Sequence, residues 1–533
     1  MTTTLDDPAQ AATRAARIGG AEEVLTDADV TTFIRDQLDA HDLDGKSVYI
    51  VLPDGTRSCP LPLLLRAVHG ALHGRASRMT ALIALGTHAE MREQALARHL
   101  GYTTGELEAT YPGLTVRNHE WSKPSTFADL GTIPASRVEE LSDRRLSVEV
   151  PVFLNKAVVE HDVALVVGPV LPHEVVGISG GNKYFFPGVA GQEIIDISHW
   201  LGALITSAEI IGTTKVTPVR ALIDEGASLI PAEKLAFCVV GEAGSLALHS
   251  ISFGNTIASW ASAAEVCAAT HVTYLDAPVR RVLSIVPSMY EDIWTGAKGF
   301  YKLEPVVADG GEVILYAPHI TEISLMHPEI AEIGYHCRDY FVKQWDRFKN
   351  LHWGVLTHST HLRGAGTYDA GTGVEKLRVQ VTLATGIPQE VCRAANLGYL
   401  DPDSVDIHSL AADPETLVVP RAGEVLFRLR PHNLQDTPER QHRPNEDLSK
   451  AFLIPPRSTA RSKPTFCRTF PIAFANNFAT NRPMSRISRN ATSLGTNSTI
   501  DVTAFLRPSC MGFPFRVAPL RTSGVDGGSG QGA

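Results

Sequence analysis

Paired cysteines are missing from this chain. Its seven cysteines, at positions 59, 238, 267, 337, 392, 467 and 510, stand apart, and none forms a Cys-x-x-Cys pair. That spacing argues against zinc-finger and iron–sulfur chemistry, and an odd count suits a reducing compartment. Also missing is any run of about 18 uncharged apolar residues, so no transmembrane helix is expected. Residues 1–17 contain two acids and no apolar centre, which does not read as a secretory signal. Positive charge is in deficit, with 48 Lys+Arg against 58 Asp+Glu and a net charge of −10. A general nucleic-acid binder is therefore not expected. These absences read as a cytoplasmic protein with neither membrane nor nucleic acid as a partner.

What is present is an ordinary globular composition, 44% hydrophobic and 20% charged, in 533 residues. That length exceeds a single core, so two domains are the default. Strand-like and helix-like segments alternate. Ser47 to Leu52 is β-rich, Pro60 to His73 has helical spacing, Thr80 to Leu85 reads as a buried strand, and Glu90 to Leu100 reads as a helix. Val163 to Val170 is a further β-branched run. This rhythm predicts parallel α/β sheets, whose ligands sit beyond the carboxyl ends of the strands. A second α/β unit starts near His271, with strands at Val282 to Val286 and Val313 to Ala317, and helices at Asp292 to Phe300 and Pro328 to Phe348. The expected organisation is a disordered lead-in over 1–27, a cofactor-binding domain over 28–272, a second domain over 273–380, a segment over 381–430 that packs back on the first domain, and a low-complexity basic tail over 431–533.

The tail changes character. It carries 13 Lys+Arg and 6 Asp+Glu, a net of +7, so the rest of the chain carries −17. Pro, Ser, Thr, Arg and Asn dominate it, periodicity is poor, and it is expected to be disordered.

The densest chemistry lies between His173 and His199. The stretch reads His173-Glu174-Val175-Val176-Gly177-Ile178-Ser179-Gly180-Gly181-Asn182-Lys183, and His199 follows 16 residues later. Imidazole moves protons near neutral pH or ligates a metal. Glycine-rich backbone exposes N–H groups to an anion. A desolvated lysine becomes a nucleophile. Together they point to a phosphorylated, metal-bearing ligand with proton transfer beside it. The GxxxxGK[ST] spacing of a P-loop is absent. Upstream lie Asp54-Gly55-Thr56-Arg57 and Gly86-Thr87-His88, each directly after a predicted strand.

With these three motifs in this order, the chain resembles the lactate racemases and their homologues over roughly residues 30 to 425. The resemblance implies two α/β domains with the active site in the interdomain cleft, and a nickel-pincer nucleotide as cofactor. It implies His88 and His173 as the acid/base pair, Lys183 as the cofactor anchor, and His199 as the nickel ligand. Ser179, Gly180, Gly181 and Asp54 would lie by the cofactor, with Asp196 or Ser198 orienting the second ring nitrogen of His199. Arg57 and Lys298 would bind the carboxylate of a small 2-hydroxy acid, since a guanidinium pairs with a carboxylate bidentately. A hydride would leave Cα for the cofactor and return to the opposite face, giving racemisation or epimerisation. An oxidoreductase or dehydratase with the same cofactor, or a non-catalytic cofactor carrier, would share the motifs. Partners would include the enzymes that make the cofactor.

The chain departs from the lactate-active members at Trp294-Thr295, where those tend to have Tyr-Gln, and at His358 and His361. Trp294 can stack on a larger substrate body, and one of the two histidines is expected to line the pocket. A longer or more hydroxylated acid than lactate is the expected substrate.

Overall fold

The computed structural model describes residues 15–430, apart from Arg57, Thr87, Ala243 and Gly244. All of these described residues fall within one compact unit. The expected tail, 431–533, lies outside the described residues.

The chain folds into an α/β structure with two main sheets. The first has seven strands: β1 (Ala16–Gly19), β2 (Ser47–Pro53), β3 (Arg78–Ala84), β4 (Leu114–Asn118), β5 (Val163–Pro169), β6 (Glu233–Gly241) and β7 (Leu248–Asn255). Their order is β1-β7-β6-β5-β2-β3-β4. The run from β6 to β4 is parallel, and β7 and β1 close one edge antiparallel. β2 is Ser-Val-Tyr-Ile-Val-Leu-Pro and is buried beyond its first residue, as a parallel strand covered on both faces must be. Helix α1 (Asp27–Asp39) starts at a capping box in which the Thr26 side chain accepts from Asp29 N–H and the Asp29 carboxylate accepts from Thr26 N–H. Helices α2 (Leu61–Leu72) and α3 (Glu93–Leu100) pack with it on one face, and α4 (Gln192–Ile205), α5 (Pro218–Ser228) and α6 (Thr256–His271) cover the other.

The disordered lead-in expected over 1–27 does not hold for its later residues. Ala16–Gly19 pairs with Phe253–Ser250 as an edge strand. Four residues carry too little periodicity to be read as a strand alone. The exposed edge of β7 recruits them by backbone bonds.

The second sheet is parallel throughout. It orders β12-β11-β10-β9-β13, from β9 (Val279–Ile285), β10 (Val307–Ala317), β11 (Gln380–Thr385), β12 (Gly398–Tyr399) and β13 (Thr416–Val419). A separate parallel pair joins β8 (Val272–Leu275) to β14 (Leu426–Leu429). Residues 381–430 therefore complete the second sheet instead of packing back on the first domain. Their end reaches it, where Arg428 donates to the Ile211 carbonyl. The segment that does pack back is an aromatic one. Phe341, Phe348, Trp353 and Leu356 join the core of the first sheet, and Trp345 stacks on Trp200 at 5.2 Å between ring centroids. The single helix predicted over Pro328 to Phe348 is broken into Glu329–Ile333, Arg338–Lys343 and Trp345–Phe348. Gly334 ends the first piece, and Tyr335 N–H and His336 N–H then bond to Ala395 O and Ser359 Oγ, outside any helix.

Candidate active site

Asp54 follows β2, His88 follows β3 and His173 follows β5. These strands are neighbours in the order β5-β2-β3 and run parallel. Adjacent strands lie about 4.8 Å apart, so the three loops leave the same edge side by side. The Lys183 loop lies across them. The Tyr184 hydroxyl rests on the backbone at Gly168, where an added Cβ would meet it at 2.0 Å. Gly86 N–H donates to Gly188 O at 2.9 Å, which binds the His88 loop to the Lys183 loop.

The His88 ring, 59% exposed, hydrogen-bonds through Nδ1 to Asp54 Oδ2 at 2.6 Å. Asp54 is buried, and its Oδ1 accepts from Thr56 N–H (3.2 Å) and Thr56 Oγ1 (2.6 Å). Burial would raise this carboxyl, but His88 and Thr56 outweigh it and hold it at about 2. Asp54 is thus ionised and fixes the His88 tautomer, with Nδ1 protonated and Nε2 bare.

His173 has the reverse arrangement. Its Nδ1 accepts from Val175 N–H at 3.1 Å, so the neutral ring carries its proton on Nε2. Glu174 Oε2 lies 3.5 Å from the same Nδ1. Desolvation pushes the Glu174 carboxyl up, yet His173, then His361 and Lys298, pull it well below the usual carboxylate range. Glu174 is therefore a carboxylate facing groups from both halves of the chain. Sequence reasoning assigned it no role. Its position next to His173 was the only available signal.

The glycine loop is shaped by packing. Gly180 has φ +92° and Gly181 φ +57°. A Cβ on Gly180 would lie 2.6 Å from Val170, and one on Gly181 would lie 2.8 Å from both Trp260 and the Thr256 carbonyl. Behind them the buried Arg220 donates to Gly180 O (3.0 Å) and Ile178 O (2.6 Å), with its guanidinium 4.2 Å above the Trp260 ring. Ser179 Oγ accepts from Leu171 N–H at 3.0 Å. These contacts turn the chain so that Lys183 lies close enough to His199 to lower its pKa, an effect second only to burial.

His199 Nδ1 donates to the Ile195 carbonyl, one turn back on α4, at 2.7 Å. Neither Asp196 nor Ser198 orients the ring. Asp196 instead accepts from Gln192 Nε2 and Gly354 N–H, both at 3.1 Å, and Ser198 Oγ donates to the same Ile195 carbonyl. A neutral ring with Nδ1 committed leaves the Nε2 lone pair free, the form a metal takes.

From the second half, Lys298 stands over the Tyr290 ring at 5.4 Å. Trp294 stacks on His358 at 3.9 Å and also contacts His327 at 4.3 Å. Helix α7 (Trp353–Arg363) carries His358 and His361 and packs on α4. Burial lowers His358 to about 4 and His361 to about 3. Arg57 lies outside the described residues. Among the described residues no cluster of three or more His, Cys, Asp or Glu forms a ready-made metal site, and no helix is long and apolar enough to cross a membrane.

A family model, the lactate racemase N-terminal domain, matches residues 33–211. That span holds His88, His173, Lys183 and His199 with their order intact. Over those residues the chain is similar to the lactate racemase family. It is 28% identical over 163 residues to a lactate racemase from Thermoanaerobacterium thermosaccharolyticum, a match covering 29% of this chain and 32% of that protein. A Thermotoga maritima protein of known structure is 31% identical, with a TM-score of 0.68 over 78% of this chain and all of that one. The lactate racemase apoprotein from T. thermosaccharolyticum, 17% identical, shares the fold at a TM-score of 0.56 over 75% of this chain and 93% of that one.

Proposed function

We propose that this chain is a racemase or epimerase of a 2-hydroxy acid, with His88 and His173 as its acid/base pair. The observation that carries the reading is a carboxylate beside Nδ1 of each ring, Asp54 at 2.6 Å from His88 and Glu174 at 3.5 Å from His173. His88, held by Asp54 at 2.6 Å, offers a bare Nε2 as a base. His173, as the imidazolium that Glu174 supports, offers its proton as the acid and is left neutral. Inversion at a carbinol carbon needs such a pair, one group taking the hydroxyl proton from one enantiomer and the other returning it on the opposite face. Each ring has a carboxylate to support its cation, Asp54 for His88 and Glu174 for His173.

The family implies a nickel-pincer nucleotide, and the residues present fit one. His199 would give Nε2 to nickel, an imidazole donor suited to that ion. Lys183 would anchor the pyridinium, covalently or as a close cation. When bound, the nucleotide supplies the acceptor and donor for the Cα hydride. Lys298 and Arg57 would hold the substrate carboxylate. The reading also places the protein in the cytoplasm, served by the enzymes that build the cofactor.

The test is made on protein produced with those enzymes. His88→Ala and His173→Ala should each lose about 10²–10⁴-fold in turnover, in both directions, at unchanged nickel content. Near-native racemisation by either variant would refute the pairing.

A further inference from the structure

His361 is 4% exposed, and among the described residues neither of its ring nitrogens has a hydrogen-bond partner. Buried polar atoms are nearly always paired, so such a ring calls for an explanation. Its position narrows the choice. The ring lies edge-on to Tyr301 at 6.3 Å, and its charge balance is set by Glu174, His358 and His199. Its helix packs on α4, which carries His199, and the ring lies within electrostatic reach of the carboxylate on which His173 and Lys298 also act. One turn earlier on α7, His358 donates Nε2–H to the Trp294 carbonyl at 2.8 Å, which leaves its Nδ1 as an acceptor, also unpaired among the described residues.

We infer that His361 reads a hydroxyl group on the substrate beyond C2, with His358 and Glu174 as further acceptors, so that the enzyme selects polyhydroxylated 2-hydroxy acids. A neutral imidazole offers one N–H and one lone pair. A hydroxyl matches both, because it donates and accepts. A second carboxylate matches neither the lone pair nor the Glu174 charge. An apolar tail leaves both nitrogens unsatisfied. An ammonium would meet Lys298, which already acts on Glu174.

This inference rests on the 2-hydroxy acid reading, so its test separates the two. The cofactor-loaded full chain is given erythronate and threonate (2,3,4-trihydroxybutanoates) and, at equal carbon length, 2-hydroxybutanoate. Both kcat/KM for inversion at C2 and the calorimetric Kd are measured. The wild type should favour the trihydroxy acids by at least about 100-fold, since a site built to pair a hydroxyl rejects the analogue lacking it. His361→Phe, similar in shape but without polar atoms, should reduce that ratio below about tenfold at unchanged nickel content. His361→Gln, which restores a donor and an acceptor, should keep most of it, and it decides the matter if His361→Phe does not fold. Equal racemisation of both acids by the wild type, or a ratio that survives His361→Phe, would overturn the inference and leave the racemase reading standing. Selective binding that depends on His361 but comes without inversion would uphold it and sink the racemase reading. Neither binding nor turnover of either acid would overturn the inference.

Discussion

At the scale of single residues, Asp54 carries a prediction that does not depend on the cofactor. Its folded pKa, about 2, lies below the ordinary 3.8. Ionised Asp54 therefore stabilises the fold above about pH 4, and that contribution fades as pH falls through 2. The shift corresponds to about 2 kcal/mol. Asp54→Asn should be less stable than the wild type at pH 7, and the gap should shrink in acid, as urea unfolding at several pH values would show. The same variant should lose turnover, because an amide can hold the His88 ring in the wrong tautomer. Arg57→Lys should raise KM, since a lysine lacks the bidentate fork. An unchanged KM would remove Arg57 from the carboxylate. His88, His173, Lys183 and His199 were legible as candidates because their types and spacings survive in one dimension. Their partners were not. Asp54 meets His88 only because β2 and β3 are neighbours, and the group that orients His199 is a backbone carbonyl, which no side-chain pattern reveals.

Among the elements, the glycine loop makes the sharpest demand. Gly180→Ala and Gly181→Ala each place a Cβ against packed atoms at a positive φ. Each should cost about 1–3 kcal/mol from backbone strain, with overpacking adding a similar amount. Thermal unfolding measures this, and a Tm within 1 °C of wild type, on the order of a tenth of the expected shift, would contradict it. The strands of the first sheet were legible because burial on both faces leaves continuous β-branched runs. Ser47–Pro53, Arg78–Ala84 and Val163–Pro169 match their predicted positions to within two residues at either end. The stretch from Pro328 to Phe348 was misread as one helix. Its apolar residues serve two cores, and the resulting spacing imitates helical periodicity. Ile330 and Tyr335 join the core of the second sheet, and Phe341 and Phe348 that of the first.

Across the whole molecule, the two α/β halves share that aromatic segment and the α4–α7 contact, which brings His199 and His361 into one electrostatic neighbourhood. Trp345→Ala should cost about 3 kcal/mol and weaken activity beyond its effect on stability, because it loosens the support of α7. Ending the chain at Arg430 keeps the bonds of Arg430 to Leu275 O and Asp276. That protein should fold and retain activity, as circular dichroism and turnover would show, since 431–533 lacks the apolar periodicity of a core. The central claim is inversion of a 2-hydroxy acid with His88 and His173 on opposite faces. Its most direct test is a chirality readout on enantiopure 2-hydroxy acids deuterated at Cα, using the nickel-loaded full chain in ordinary water. The account predicts inversion at C2 with the deuterium kept on carbon and no net oxidation. Inversion with the label lost to solvent, or accumulation of a 2-keto acid without inversion, would contradict it.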